Sequence, residues 1–258
     1  MSDSLRIGPI WEIIRQYMQT GDAGTRALLD RLALAGINVQ QHLNSELRAG
    51  SFFRIPTEQI RALLELGADP HWIPPNGASV LDHAIVRYMN GEAVDLIAAR
   101  VEPRKAFWIA AGLGDVATMR AFLDKRGHIS DAARRDRPEA LMLGVLPVIT
   151  RAQRPDASDT EILSEAFFLA GLNGRLAAMQ ELPDLGVSVD YSPGRFPVLY
   201  FAVAQEMVDV VDFLVQRSAD RDFMTELRGD SVRALSLRMV EDKDRHPNAA
   251  RIHALLSR

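Results

Sequence analysis

The chain has 258 residues, a formal net charge of −4, 47% hydrophobic and 25% charged residues, and no cysteine. The missing cysteines exclude a disulfide framework, a thiolate metal site and a cysteine nucleophile. The negative balance gives no general attraction to nucleic acid or to an anionic membrane.

The first stretch, MSDSLRIGPIWEII, lacks a basic start followed by an apolar core, so no secretory signal is expected. The longest apolar run, Ala140 to Ile149, is too short for a bilayer and contains Pro147. A cytoplasmic, membrane-free protein is the expectation. Leu5 to Met18 places Ile10, Ile13, Ile14, Tyr17 and Met18 on a helical stripe, with Pro9 suited to the first turn. A second helix is expected from about Ala23 to Ala35, ending at Gly36, where a glycine suits a left-handed cap. A shorter helix follows from about Gln41 to Ala49. Thr57 is placed as the cap of the next helix, which runs to Leu66 with Glu58 in its first turn.

Phe107 to Gly127, FWIAAGLGDVATMRAFLDKRG, returns as FFLAGLNGRLAAMQELPDLG, Phe167 to Gly186. Phe107 and Phe167, Ala110 and Ala170, Gly114 and Gly174, Ala117 and Ala177, and Met119 and Met179 are identical pairs. Each copy reads as two short helices broken at a glycine, with a second glycine closing the unit. Between the copies, Arg137 to Arg151 reads as an extra helix that Pro147 should bend or end. A chain of this length with no linker exceeds one ordinary core, whereas a stack of repeats grows in one dimension.

LLELGADP, Leu63 to Pro70, resembles the close of an ankyrin repeat, and Gly77, Ser79, Leu81 and Ala84 match the opening of the next. Val80 and Asp82 replace the family's proline and histidine. Asp209-Val210-Val211 and Ser218-Ala219-Asp220 match the second helix and close of a later unit. The resemblance covers roughly Gln59 to Asp222, with steps mostly near the family's length of about 33 residues. It implies an all-α solenoid of about six or seven helix-turn-helix units with short loops. The expected organisation is one domain: a cap or divergent repeat over 1–40, repeats over 41–130, an insertion or degenerate repeat over 131–159, repeats over 160–228 and a cap over 229–258.

Gly112 to Ala117 spells G-x-G-x-x-A, but helix-forming residues precede it where a dinucleotide fingerprint needs a strand. It reads as a turn between paired helices. Asp82 and His83 could serve as a base or metal pair beneath the 131–159 segment, which would make an enzyme or small-ligand protein. The resemblance instead makes Asp82 a brace to the adjacent loop. Arg134, Arg135 and Arg137 read as a solvated basic loop. Neither a G-x-S-x-G nor a phosphate-loop motif occurs. No cofactor or metal is expected.

What the resemblance implies instead is a groove of loop tips and first-helix surfaces that binds a protein partner. On that mapping the loops present Trp72, Tyr191, Arg195 and Phe223, and the first helices add Arg87, Tyr88, Leu113, Asn173 and Gln205. Aromatic and arginine side chains carry most interface energy. The expectation is a monomeric, non-enzymatic interaction module, with inhibition of one dedicated target as a narrower version.

Overall fold

The computed structural model describes residues 8–21, 24–49, 55–75, 77–136, 142–143, 146–147, 157–192, 196–224 and 231–258. Helices alternate in pairs: α1 (Gly8–Thr20) with α2 (Gly24–Leu34), α3 (Val39–Ala49) with α4 (Thr57–Glu65), α5 (Val80–Arg87) with α6 (Gly91–Ala98), and α7 (Phe107–Leu113) with α8 (Val116–Ala121). A single-turn helix, α9 (Asp131–Arg135), and a two-rung hairpin, β1 (Met142–Leu143) and β2 (Leu146–Pro147), come next. Three more pairs follow: α10 (Asp159–Leu172) with α11 (Leu176–Glu181), α12 (Val198–Ala204) with α13 (Val208–Gln216), and α14 (Val232–Glu241) with α15 (Ala249–Leu256).

First helices pack on first helices, from α3 through α5, α7, α10 and α12 to α14. Second helices do the same where α4 meets α6, α8 meets α11, α11 meets α13 and α13 meets α15. The fold is therefore an ankyrin-like, all-α solenoid. Helices of six to nine residues are unstable alone, and each pair hides its apolar face only against a neighbour. Among the described residues, no helix is long and apolar enough to cross a membrane.

The turn inside four of the pairs, α5–α6, α7–α8, α10–α11 and α12–α13, is the same. Gly114 and Gly174 lie at φ +78° and +67°, in the left-handed region where a side chain is strained. Met89 and Glu206 take the same conformation in the pairs α5–α6 and α12–α13. The N–H after the turn bonds back to a first-helix alanine: Asp115 to Ala110 and Arg175 to Ala170 at 2.8 Å, and Met207 to Ala202 at 2.9 Å. This is the Schellman closure of a helix end. The corresponding carbonyl before Met89 is that of Ile85, and it accepts the Asn173 side chain at 2.7 Å instead.

Glycines also set how closely units approach. A Cβ on Gly112 would lie 2.2 Å from Ile85 of α5, and one on Gly171 would lie 2.2 Å from Val198 of α12. A Cβ on Gly91 would strike the Asn173 carbonyl at 2.3 Å. Through this gap the α10–α11 unit reaches across α7 to the unit beyond it. Arg175 donates to the carbonyls of Gly112 (3.1 Å) and Gly91 (3.0 Å) and pairs with Asp95 at 2.7 Å, its side chain only 15% exposed.

Phe107, Trp108, Phe167 and Phe168 are buried as core filling between units. Each large side chain so buried contributes about 1.5–3 kcal/mol.

Four expectations change. The described part of 137–151 is extended, with Met142 opposite Pro147 and Leu143 opposite Leu146. Gly144, Val145, Pro147, Val148 and Ile149 are poor helix formers, which outweighs the apolar periodicity. The helix of the second copy starts at Asp159, well before Phe167, because Ser158 and Glu161 form a capping box. Thr57 is the first helical residue of α4 and not its cap. Its hydroxyl is used by the next unit, accepting from Asn90 at 3.0 Å and donating to Glu92 at 3.2 Å. Finally, α1 packs on α4 and α2 on α3, so the N-terminal pair does not continue the first-on-first, second-on-second packing of a repeat.

Gly174→Val should cost about 1–3 kcal/mol by forcing a β-branched residue into the left-handed turn. Arg175→Ala should cost about 2–3 kcal/mol through its lost charged hydrogen bonds. Hydrogen exchange should then rise in α6 as well as α11. Exchange confined to α11 would show that the contact across α7 carries no coupling.

Candidate functional site

Three of the loops that follow a closing turn, after Gly67, Gly186 and Ser218, are built alike. Trp72, Tyr191 and Phe223 each donate a backbone N–H to the carbonyl three residues earlier, in Asp69 (3.2 Å), Ser188 (3.1 Å) and Asp220 (3.5 Å). The carboxylates of Asp69 and Asp220 accept from the N–H two residues on, at 2.9 Å each, and so hold their turns. Neighbouring loops are tied as well, since the Asp220 N–H donates to Asp190 at 2.8 Å. The three rings thus occupy one position of one repeated turn.

All three rings are half-buried and pack against the apolar core. The residues beside two of them face outward: Ile73 is 62% exposed and Met224 is 57% exposed. Sequence reasoning passed over both. Alternation was the available signal, because a ring turned inward in extended chain turns its neighbour outward.

The first-helix residues divide. Arg87 and Leu113 are half-buried at the ends of α5 and α7. Tyr88, Asn173 and Gln205 do not belong to the surface. Tyr88 is fully buried; its hydroxyl donates to the Leu47 carbonyl, and burial pushes the phenol pKa upward. Asn173 is buried and donates to the carbonyls of Ile85 and Leu169. Gln205 is buried, and its amide nitrogen and oxygen have no hydrogen-bond partner among the described residues. Each of the three directly precedes a left-handed residue, Met89, Gly174 or Glu206, a place that Leu113 shares while staying half-buried. Arg195 lies outside the described residues, as does Arg137.

The Asp82 carboxylate is taken up. Arg104, from the loop before α7, donates to it through Nε (3.2 Å) and Nη2 (3.0 Å), and also pairs with Asp136. The same guanidinium stands 5.4 Å from the Trp108 ring. Asp82 is therefore the loop brace. Arg134 is likewise bound, to the Ala157 carbonyl at 2.9 Å and to Asp159. Among the described residues, no group of three His, Asp or Glu side chains could hold a metal ion. The G-x-G segment sits at the end of α7 and its turn, where Gly112 permits the approach of Ile85.

Removing the unpaired amide should stabilise the fold. Gln205→Leu is expected to raise stability by about 1–3 kcal/mol, the cost of a buried polar group left unbonded. Chemical denaturation checks this, and a loss of stability would show that the amide is bonded in solution.

Neither a family model nor a curated protein matches the chain. Among solved structures it is similar to the ankyrin repeat domain of human ASB11, at 18% identity over 86% of this chain and 90% of that one, with a TM-score of 0.33.

Proposed function

We propose that the chain is a non-enzymatic protein-interaction module whose partner lies along the row of loops after the closing turns. The observation that carries this reading is the repeated turn at Trp72, Tyr191 and Phe223. It sets apolar groups in equal register in separate units, with Ile73 and Met224 outermost. Exposed apolar side chains on a rigid, repeated frame are the usual anchors of a protein interface. The half-buried rings would form the floor of this row, Arg87 and Leu113 would extend the surface from the ends of α5 and α7, and Arg195 falls within one of its loops in sequence. Binding here would act by covering part of a target, which is how inhibition of one dedicated protein would work.

The test joins affinity capture from the source cell with substitution. Ile73→Asp and Met224→Asp should leave the fold intact, because both side chains are exposed, and should weaken a captured partner by about 2 kcal/mol or more if they are central anchors. Trp72→Ala should instead lower stability, by less than the roughly 3–5 kcal/mol of a fully buried ring. Full binding by both aspartate variants would move the interface off the loop row. Turnover of a substrate, lost in His83→Ala, would replace the module with the enzyme reading.

A further inference from the structure

The described arginines with partly buried side chains mostly serve as staples. Arg104 holds Asp82 and Asp136, Arg134 holds Asp159, Arg175 holds Asp95 with two carbonyls, and Arg233 pairs with Asp222. Arg48 and Arg87 depart from this pattern. Arg48 sits in the last turn of α3 and Arg87 ends α5, and these two helices pack side by side. Both residues are half-buried. Neither makes a hydrogen bond or an ion pair among the described residues, and the Arg48 Nε is shut off from solvent with no acceptor.

Neither flanking segment supplies an acid. The sequence from Ala49 to Ile55 and from Pro74 to Leu81 contains no Asp or Glu, and Asp82 is held by Arg104. Burial, and then the neighbouring charge of Arg48, hold the Arg87 guanidinium below its usual range. Two cations have thus been brought together at a cost, with no ion-pair partner for either among the described residues. The place is also closely packed. A Cβ on Gly77 would fall 2.8 Å from Arg48 Nη2 and 2.4 Å from the Pro74 ring, so a larger residue would crowd the guanidinium. The loop that contains Pro74 and Gly77 is the one that presents Ile73.

We propose that Arg48 and Arg87 form a receptor for a carboxylate of the protein partner, an Asp or Glu side chain set beside an apolar residue that meets Ile73. This rests on the interaction-module reading and adds the chemistry of the anchor. A planar guanidinium fork matches a carboxylate through paired N–H···O bonds. The carboxylate also removes the repulsion between the two arginines, so the pair gains more from it than an isolated surface arginine would. A partner segment without the acid would leave both cations uncompensated, which makes the site selective as well as attractive.

The test needs no partner. The Arg Nε–H signals of the protein are followed by NMR while sodium acetate, the blocked dipeptide N-acetyl-Glu-Leu-amide or sodium phosphate is added, with sodium chloride at equal ionic strength as reference. Acetate and the dipeptide should shift the Arg48 and Arg87 signals saturably, and the dipeptide should bind more tightly. Arg87→Gln should weaken binding by about tenfold and should melt no lower than the parent, because it removes a repulsion. Arg87→Lys, which keeps the charge and loses the fork, should also weaken it.

Shifts that follow chloride, saturation by phosphate without acetate, or equal binding by Arg87→Gln would each overturn the assignment. Saturable acetate in a protein that captures no partner would sustain the site and count against the module. A captured partner that binds Arg87→Gln as well as the parent would do the reverse.

Discussion

A left-handed residue between two short helices is the constraint on which this molecule depends. It occurs at Met89, Gly114, Gly174 and Glu206, and each time it folds a second helix back on the first. The same backbone conformation recurs at the closing turns Gly36, Gly67, Gly127, Gly186 and Ser218. Where the same pair of turns repeats, as around Gly174–Gly186 and Glu206–Ser218, the units deliver their loops in the same relation to their helices. The row of loops follows from the turns.

The second constraint is distance. Alanines and glycines keep the first helices slim, and Gly112 and Gly171 let Ile85 and Val198 press against bare backbone. Side chains then cross between units. Asn90 caps α6 and also donates to the Ile55 carbonyl and the Thr57 hydroxyl of the preceding unit. Asn173 and Arg175 reach further, over α7 to α5 and α6. A pure nearest-neighbour solenoid would lack that last connection. Here the middle of the stack is bound more tightly than a chain of adjacent contacts would allow.

The helical hairpins were legible because their signals are local: paired glycines, small first-helix residues and apolar seams repeat in register. The brace role of Asp82 was legible from its place in the unit. The hidden features depend on a neighbour. Nothing in the sequence around Thr57 says that Asn90 will claim its hydroxyl. The burial of Tyr88, Asn173 and Gln205 depends on neighbouring helices, as when Tyr88 reaches Leu47 and Asn173 reaches Ile85. The early start of α10 was written in Ser158 and Glu161, but a polar run masked it. The outward placement of Ile73 and Met224 rests on alternation, which sends their aromatic neighbours inward.

The central claim is that the loop row, and not the outer face of the second helices, meets the partner. Hydrogen exchange of the protein, free and with its captured partner, tests it most directly. The account predicts simultaneous protection of 70–75, 188–192 and 220–224, with α6, α11 and α13 unchanged. Protection of the second helices, with the three loops exchanging as in the free protein, would contradict it.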